Sequence, residues 1–264
     1  MNDFRIYQQF AESIARQAGK MIKISCVEHH DIQFKSKYDF VTDVDERSQK
    51  IIQTAINKEY PEHQFFGEES ANANDVDLDK TAKDFIWIVD PIDGTTNFIR
   101  QMPFFSVSIA MAYKHELVVG VVYNPMTDEM FSASKGTGTF VNGRVVHISD
   151  VDNLDSTIVS LSMPAAAVEQ RPYVCSCIER ASKSCLSIRI LNSAAICMAH
   201  VAAGRMEAHY EEGIHIWDLA AGAVLIKEAG GEISDAKGNP ITLNTTSIFA
   251  SNKKIRPLVS TIFC

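Results

Sequence analysis

Apolar residues recur at three- and four-residue steps from the start of the chain. Phe4, Tyr7, Phe10, Ile14, Ala18, Met21 and Ile22 share one face of a helix predicted over about residues 3–26. The period then drops to two. Ile32 and Phe34 alternate with polar neighbours, which predicts a short strand giving way to a polar loop. Helical spacing returns at Val44, Ile51, Ile52, Ala55 and Ile56, with Thr42 or Asp43 as N-cap and Tyr60-Pro61 as the break. Gln64-Phe-Phe-Gly67 reads as a short strand ending in Glu68-Glu69-Ser70, and residues 71–83, polar and without period, as an exposed loop. A continuous apolar run, Trp87-Ile-Val, then leads to Asp90 as a buried strand would.

Strand-like runs follow at Phe105–Met111, Leu117–Tyr123, Glu129–Ala133 and Thr139–Val141, separated by Asn124-Pro125, Lys135-Gly136 and Asn142-Gly143. That is hairpin punctuation. Gly136-Thr-Gly138 resembles part of a phosphate loop, but no third Gly and no helix follow, so it reads as a hairpin turn. From about Asp152 strands and helices alternate. Strands are predicted at 157–161, 187–190, 206–210, 231–234 and 247–251, and helices at 173–182, 193–204, 217–229 and 253–262. The first half is an antiparallel α+β pattern and the second an α/β pattern, a sheet with helices on its faces. We expect two tightly fused halves, 1–150 carrying most of the candidate site and 151–264 completing it.

The chemistry concentrates after the Trp87 run, in Asp90-Pro-Ile-Asp93-Gly-Thr95-Thr-Asn. Pro91 fixes one φ and Gly94 frees another, which predicts a tight turn; Thr95, Thr96 and Asn97 are residue types that open helices. Two carboxylates on a stiff turn repel, and a divalent cation relieves that repulsion. Mg²⁺ takes oxygen ligands and is held by one or two carboxylates plus substrate phosphate. The backbone N–H groups of Gly94 and Thr95, at a helix start, point where an anion would sit. A turn with a capping Asp is the alternative. Asp45, in the first turn of the second helix, is equally well explained by the helix dipole. Asp218, at the start of the helix containing Ala220, Ala221, Gly222 and Ala223, is equally well explained as a cap.

Composition narrows the classes. The 264 residues are 46% hydrophobic and 22% charged with net charge −8, ordinary for a globular chain with a sizeable core. An acidic balance speaks against nucleic-acid or anionic-membrane partners, and favours metal ions if the substrate is an anion. The six cysteines form no framework and no metal-ligand spacing, so reduced thiols are expected. Neither a signal core in Met1–Ile6 nor a run of about 18 apolar residues appears, and the cytosol is the expected compartment.

Three separated signatures now join: Glu68-Glu-Ser, Asp90-Pro-Ile-Asp93-Gly-Thr95-Thr-Asn-Phe, and Trp217-Asp218-Leu-Ala-Ala-Gly. In that order, with Lys35…Asp39-Phe-Val-Thr42-x-x-Asp45, Pro103-Phe-Phe-Ser106 and Gly204, the chain resembles the inositol monophosphatase family. That family is a branch of the magnesium-dependent, lithium-sensitive phosphatases that includes fructose-1,6-bisphosphatase. The resemblance covers essentially the whole chain and implies a layered α-β-α-β-α sandwich and a homodimer. It implies that Glu68, Asp90 and the Ile92 carbonyl hold one Mg²⁺, that Asp90, Asp93 and Asp218 hold a second, and that Glu68 with waters holds a weaker third. Asp45 and Thr95 would activate the attacking water. Gly94 and Thr95 N–H groups would bind phosphate, and Asp93, Ala194 and Glu211 would contact substrate hydroxyls. Lys35 would lie on a loop closing over the metals. Hydrolysis of a phosphate monoester needs charge neutralised and a nucleophile in line, and no Cys, Ser or His nucleophile. His215 therefore reads as a packing residue beside the site.

One departure from the family pattern stands at Asn192-Ser-Ala-Ala, where Gly usually precedes Ser or Thr. Asn tolerates left-handed φ, but it adds a side chain to the expected pocket. The expected reaction is Mg²⁺-dependent hydrolysis of myo-inositol 1-phosphate. The alternatives are 3′-phosphoadenosine 5′-phosphate, fructose 1,6-bisphosphate or histidinol phosphate as substrate. An alternative of another class, implied by bacterial members of the family, is a protein-binding regulator of a transcription or ribosomal assembly.

Overall fold

A computed structural model describes residues 3–28, 32–36, 39–70, 83–163 and 168–263, with backbone alone at 34–36 and 39. His29, His30, most of the predicted loop at 71–83, Pro164 and Cys264 lie outside the described residues.

Helix α1 (Arg5–Ser25) is followed by a hairpin of β1 (Ile32–Ser36) and β2 (Asp39–Thr42), then by α2 (Asp43–Glu59) and β3 (Gln64–Gly67). The stretch expected to be a strand and a polar loop is thus two strands, paired from Ile32↔Thr42 onward. Lys35, expected on a loop, lies on β1; its side chain is outside the described residues. β4 (Phe85–Asp93), α3 (Thr95–Ile99), β5 (Ser106–Tyr113), β6 (Glu116–Asn124), β7 (Glu129–Ser134), β8 (Thr139–Val141) and β9 (Arg144–Val146) come next. The second half runs β10 (Ile158–Leu161), α4 (Arg171–Ser184), β11 (Ser187–Arg189), α5 (Ala194–Ala202), β12 (Ala208–Glu212), α6 (Ile216–Glu228), β13 (Glu232–Ser234), β14 (Ser247–Ser251) and α7 (Arg256–Phe263). β9, three residues, is too short to show as a period-two run.

Seven strands form one sheet in the order β3-β4-β5-β6-β7-β8-β9, and five form another in the order β11-β10-β12-β14-β13. β3 lies parallel to β4, an exception to the antiparallel pattern expected of this half. Side chains alternate across the first sheet. Trp87, Val89, Ile109, Met111 and Val121 face α1 and α2, packing on Ile14, Ala18, Ile22, Ile52 and Ile56. Ile86, Ile88, Ala110 and Val122 face the other way, onto Met198 and Ala199 of α5 and Ala220, Ala221 and Val224 of α6, with Ile248 and Ala250 of the second sheet behind. The far face of that sheet, Val159, Leu161, Tyr210 and Phe249, is covered by α4 and α7. The layers are therefore α-β-α-β-α. Apolar residues on both faces explain why the central strands read as unbroken apolar runs.

The middle helix layer sits close to the first sheet because small residues face each other. A Cβ on Gly120 would lie 2.3 Å from the Ala221 carbonyl oxygen and 2.9 Å from Val224 Cβ. The Gly136-Thr-Gly138 turn is a hairpin turn, and it does hold an anion. The N–H groups of Gly136, Thr137 and Gly138 donate to the Glu228 carboxylate at 2.9, 3.1 and 3.0 Å, tying the hairpin to the end of α6. No disulfide joins the described cysteines, and no described helix is long and apolar enough to cross a membrane.

Candidate active site

The site is built where β4 ends. The strand does not stop at Asp90. It runs to Asp93 with an irregularity, since Asp90 pairs with Ser108 and Asp93 with Ser106, three steps on β4 against two on β5. One extra residue is accommodated, a bulge rather than the expected turn. Pro91 has no N–H for the ladder, which is where a strand tolerates proline. The Asp90 carboxylate closes the bulge by accepting from the Ile92 N–H at 2.9 Å. Gly94 follows at φ +93°, with no room for a side chain: a Cβ would meet the Phe104 carbonyl oxygen at 2.9 Å. α3 then starts at Thr95, as the helix-opening residues predicted.

Each acidic side chain has its own local reason for its place. Asp93 is buried against the first turn of α5 and accepts from Ala194 N–H at 3.1 Å, Ala195 N–H at 3.0 Å and the Ser193 hydroxyl. A carboxylate is favoured there by the free amides and the dipole. Asp218 is the third residue of α6. Its carboxylate reaches back to the His215 N–H at 2.6 Å, one half of a capping box. Asp45 does the same in α2, accepting from the Thr42 N–H at 2.8 Å and the Thr42 hydroxyl at 2.5 Å. The capping alternatives for Asp45 and Asp218 hold in the literal sense: both carboxylates cap helices, and Asp218 also joins the acidic cluster.

Ligand-capable oxygens of Asp90, Asp93 and Asp218 lie within 4.8 Å of one another. Glu68, on the short turn after β3, and the backbone of Ile92 border the same cleft, about 360 Å³ in volume. Thr95, Gly94, Ala194, Glu211, Asn192 and Ser162 line it as well. Asp45 does not. It is 1% exposed and reaches the cleft through Thr95, whose hydroxyl lies 3.1 Å from its Oδ1 and 3.1 Å from the Ile92 carbonyl oxygen.

The electrostatics follow from burial and crowding. Burial pushes the Asp90 carboxyl well above the usual carboxylate range, and the charges of Glu68, Asp93 and Asp218 push it further. Asp218 is raised by burial and by Glu68 and Asp93. Asp93 is raised to about 6 by burial, against the pull of the Ser193 hydroxyl and the α5 amides. Burial raises Asp45 to about 6, opposed by its bonds to Thr42. Such a cluster is costly in isolation and is relieved by a cation. The donors are carboxylate and carbonyl oxygens, the hard set that suits Mg²⁺ and not zinc or copper.

His215 stacks on Trp217 with ring centroids 4.5 Å apart, a packing role as expected. Asn192 adopts φ +50°, so the left-handed turn survives without glycine. Its side-chain oxygen accepts from Met163 N–H at 3.1 Å, fastening the end of β10 to the rim of the cleft. Asn97 closes the assembly by donating to the Phe104 and Leu191 carbonyls, both at 2.7 Å. Sequence reasoning gave no role in the site to Ser193 or to Arg171, which lines the cleft, and named Asn97 and Thr42 only within family signatures or as helix-opening residues. The Ser193 contact spans 100 residues of chain.

Oxygen donors gathered at strand and helix ends of a layered α-β-α-β-α frame, beside a cleft, form a cluster that could hold a metal ion, and the family to which the chain belongs is one of phosphatases. The chain belongs to the inositol monophosphatase family, whose profile matches residues 5–263. It is 37% identical over 243 residues to the Nus factor SuhB of Escherichia coli K12, covering 91% of this chain and 89% of that one. It is 35% identical over 246 residues to inositol monophosphatase 1 of Mus musculus, covering 92% and 88%. The crystal structure of the extragenic suppressor protein suhB from Bartonella henselae superposes with a TM-score of 0.91 at 31% identity, covering 98% of each chain.

Proposed function

We propose that the chain hydrolyses myo-inositol 1-phosphate and similar small phosphate monoesters to the free alcohol and inorganic phosphate. The observation that carries the reading is the convergence of Asp90, Asp93 and Asp218 within 4.8 Å in a cleft that Glu211 and Ala194 also line. Glu68, Asp90 and the Ile92 carbonyl would hold one Mg²⁺, and Asp90, Asp93 and Asp218 a second, with Glu68 sharing in a third. When bound, Mg²⁺ supplies charge neutralisation for the phosphate and acidifies a water.

The protein's own part is proton movement and orientation. Thr95 Oγ1 takes a proton from the attacking water as its own hydroxyl proton passes to Asp45 Oδ1, 3.1 Å away. A carboxylate raised to about 6 is a base matched to neutral pH. The water oxygen bonds to phosphorus, the bond to the leaving alcohol oxygen breaks, and that oxygen takes up a proton from solvent in the cleft. Gly94 and Thr95 N–H groups would orient the phosphate. Asp93, the Ala194 backbone and Glu211 would take the substrate hydroxyls, and Lys35 would sit over the metals.

A substrate panel with Mg²⁺ tests this. The expected outcome is highest kcat/KM on inositol 1-phosphate. A preference of about tenfold or more for 3′-phosphoadenosine 5′-phosphate, fructose 1,6-bisphosphate or histidinol phosphate, some 1.4 kcal/mol, would overturn the assignment. We propose a homodimer by family analogy, to be measured by sedimentation. The similarity to a protein named as a Nus factor favours a second reading, that the chain also binds a protein partner in a transcription or ribosomal assembly. Asp93→Asn separates the two, since a binding role survives that change and catalysis does not.

A further inference from the structure

β12 carries His209 and Glu211 on the same face, two residues apart. His209 is fully buried, which a histidine tolerates only with both ring nitrogens satisfied. Both are. Nδ1 lies 2.9 Å from the hydroxyl of Ser160, which faces it in register on the parallel strand β10, and Nε2 lies 3.1 Å from Glu211 Oε2. A carboxylate only accepts, so Nε2 carries the hydrogen and, in the neutral ring, Nδ1 accepts from Ser160. The Ser160 hydroxyl also lies 3.4 Å from the Ala208 carbonyl oxygen, and at Glu211 the direction is fixed: Nε2–H donates to the carboxylate. Glu211 meanwhile borders the cleft, its side chain 12% exposed. Beside it, Ser162 also lines the cleft, and its buried hydroxyl has no hydrogen-bond partner among the described residues.

We infer that His209 is a positioning residue for the leaving alcohol: it pins Glu211 through one carboxylate oxygen, leaving the other to accept from substrate hydroxyls. With Ser162 as a second polar contact, this wall favours a hydroxyl-rich alcohol over one without further hydroxyls. The inference rests on the proposed reading of Glu211 as the hydroxyl acceptor. The physical gain is preorganisation. A glutamate fixed before binding loses no rotamer freedom when the substrate arrives.

The test compares a polyol monophosphate, inositol 1-phosphate, with p-nitrophenyl phosphate, whose leaving group has no further hydroxyl. His209→Phe keeps a buried ring and removes both bonds. It is expected to raise KM for the polyol phosphate about tenfold, as loss of an oriented charged hydrogen bond does, with kcat, Mg²⁺ activation and the p-nitrophenyl phosphate KM unmoved. His209→Gln, whose amide N–H can replace Nε2–H, is expected to restore most of the loss. If circular dichroism shows His209→Phe unfolded, Ser160→Ala provides the same KM split at smaller amplitude. Equal KM losses on both substrates, a fall in kcat shared by both, or an unchanged polyol KM would overturn the inference. The two readings fail separately. A wild-type enzyme that turns over p-nitrophenyl phosphate but does not favour the polyol sinks the role of Glu211. A wild-type preference for the polyol that survives His209→Phe sinks the role of His209 alone.

Discussion

Removal of the divalent cation should make stability depend on pH in a direction set by the carboxylate cluster. Asp45 is raised to about 6 from an ordinary 3.8. A native value above the unfolded one means that the folded chain binds the extra proton. Its stabilising effect is complete below the unfolded value and is lost as pH rises through about 6. Between about pH 8 and about pH 5.5, one such group gains about 0.8 kcal/mol of stability from protonation. Asp93, also raised to about 6, adds a similar amount. At roughly 2–4 °C per kcal/mol for a chain of this size, the pair shifts Tm by about 3–6 °C. His63 and His200, held below their usual value by burial, work in the opposite direction as pH falls. The measurement is therefore a difference, the Tm with saturating Mg²⁺ minus the Tm with chelator, taken at both pH values by calorimetry. The histidines cancel in that difference because they lie away from the cluster. The Mg²⁺ gain should be larger at the higher pH by at least those few degrees, and Asp93→Asn should shrink it. A gain equal at both pH values, or larger at the lower one, would refute the argument that a cation relieves this cluster.

Three further outcomes are expected. Asp218→Asn should lower kcat by about 10²-fold or more at saturating Mg²⁺ with an unchanged circular dichroism spectrum, because an amide at that position still accepts from the His215 N–H. Thr95→Ala should lose about 10²-fold in kcat while Thr95→Ser keeps the 3.1 Å link to Asp45 and most of the activity; equal losses in the two would remove the hydroxyl from the proton path. Gly120→Ala should cost about 1–3 kcal/mol in urea unfolding, since its Cβ would lie 2.3 Å from the Ala221 carbonyl oxygen.

Much of the fold was legible because its signals are local. The helix from Arg5 to Ser25 announces itself by apolar spacing, the break at Tyr60-Pro61 by proline, and the strands of the second half by short apolar runs between turn residues. What failed was also local in origin. β1 was legible from the alternation at Ile32 and Phe34, but β2, Asp39-Phe-Val-Thr42, is four residues long and read as part of a polar loop, and β9 is three residues long. At Asp90–Asp93, proline and glycine correctly marked an irregularity. Whether it was a turn or a bulge was decided by β5, whose hydrogen bonds carry the strand on to Asp93.

The candidate site divides the same way. The sequence by itself determined that carboxylates stand at the ends of apolar runs, that Thr42 and Asp45 are spaced to cap a helix, and that Asn192 tolerates a left-handed turn, since each depends on residues within a few positions. Only the tertiary structure decided that Asp218 comes within 4.8 Å of Asp90 and Asp93. The same holds for Asp93, buried on the amides of α5 about a hundred residues further on, and for the line from Ser160 through His209 to Glu211. Those relations depend on how β10 and β12 pair and on the middle helices lying close to the sheet at Gly120. Strand pairing and layer packing are long-range contacts whose energy comes from burying both partners together, so neither partner's local sequence encodes them alone.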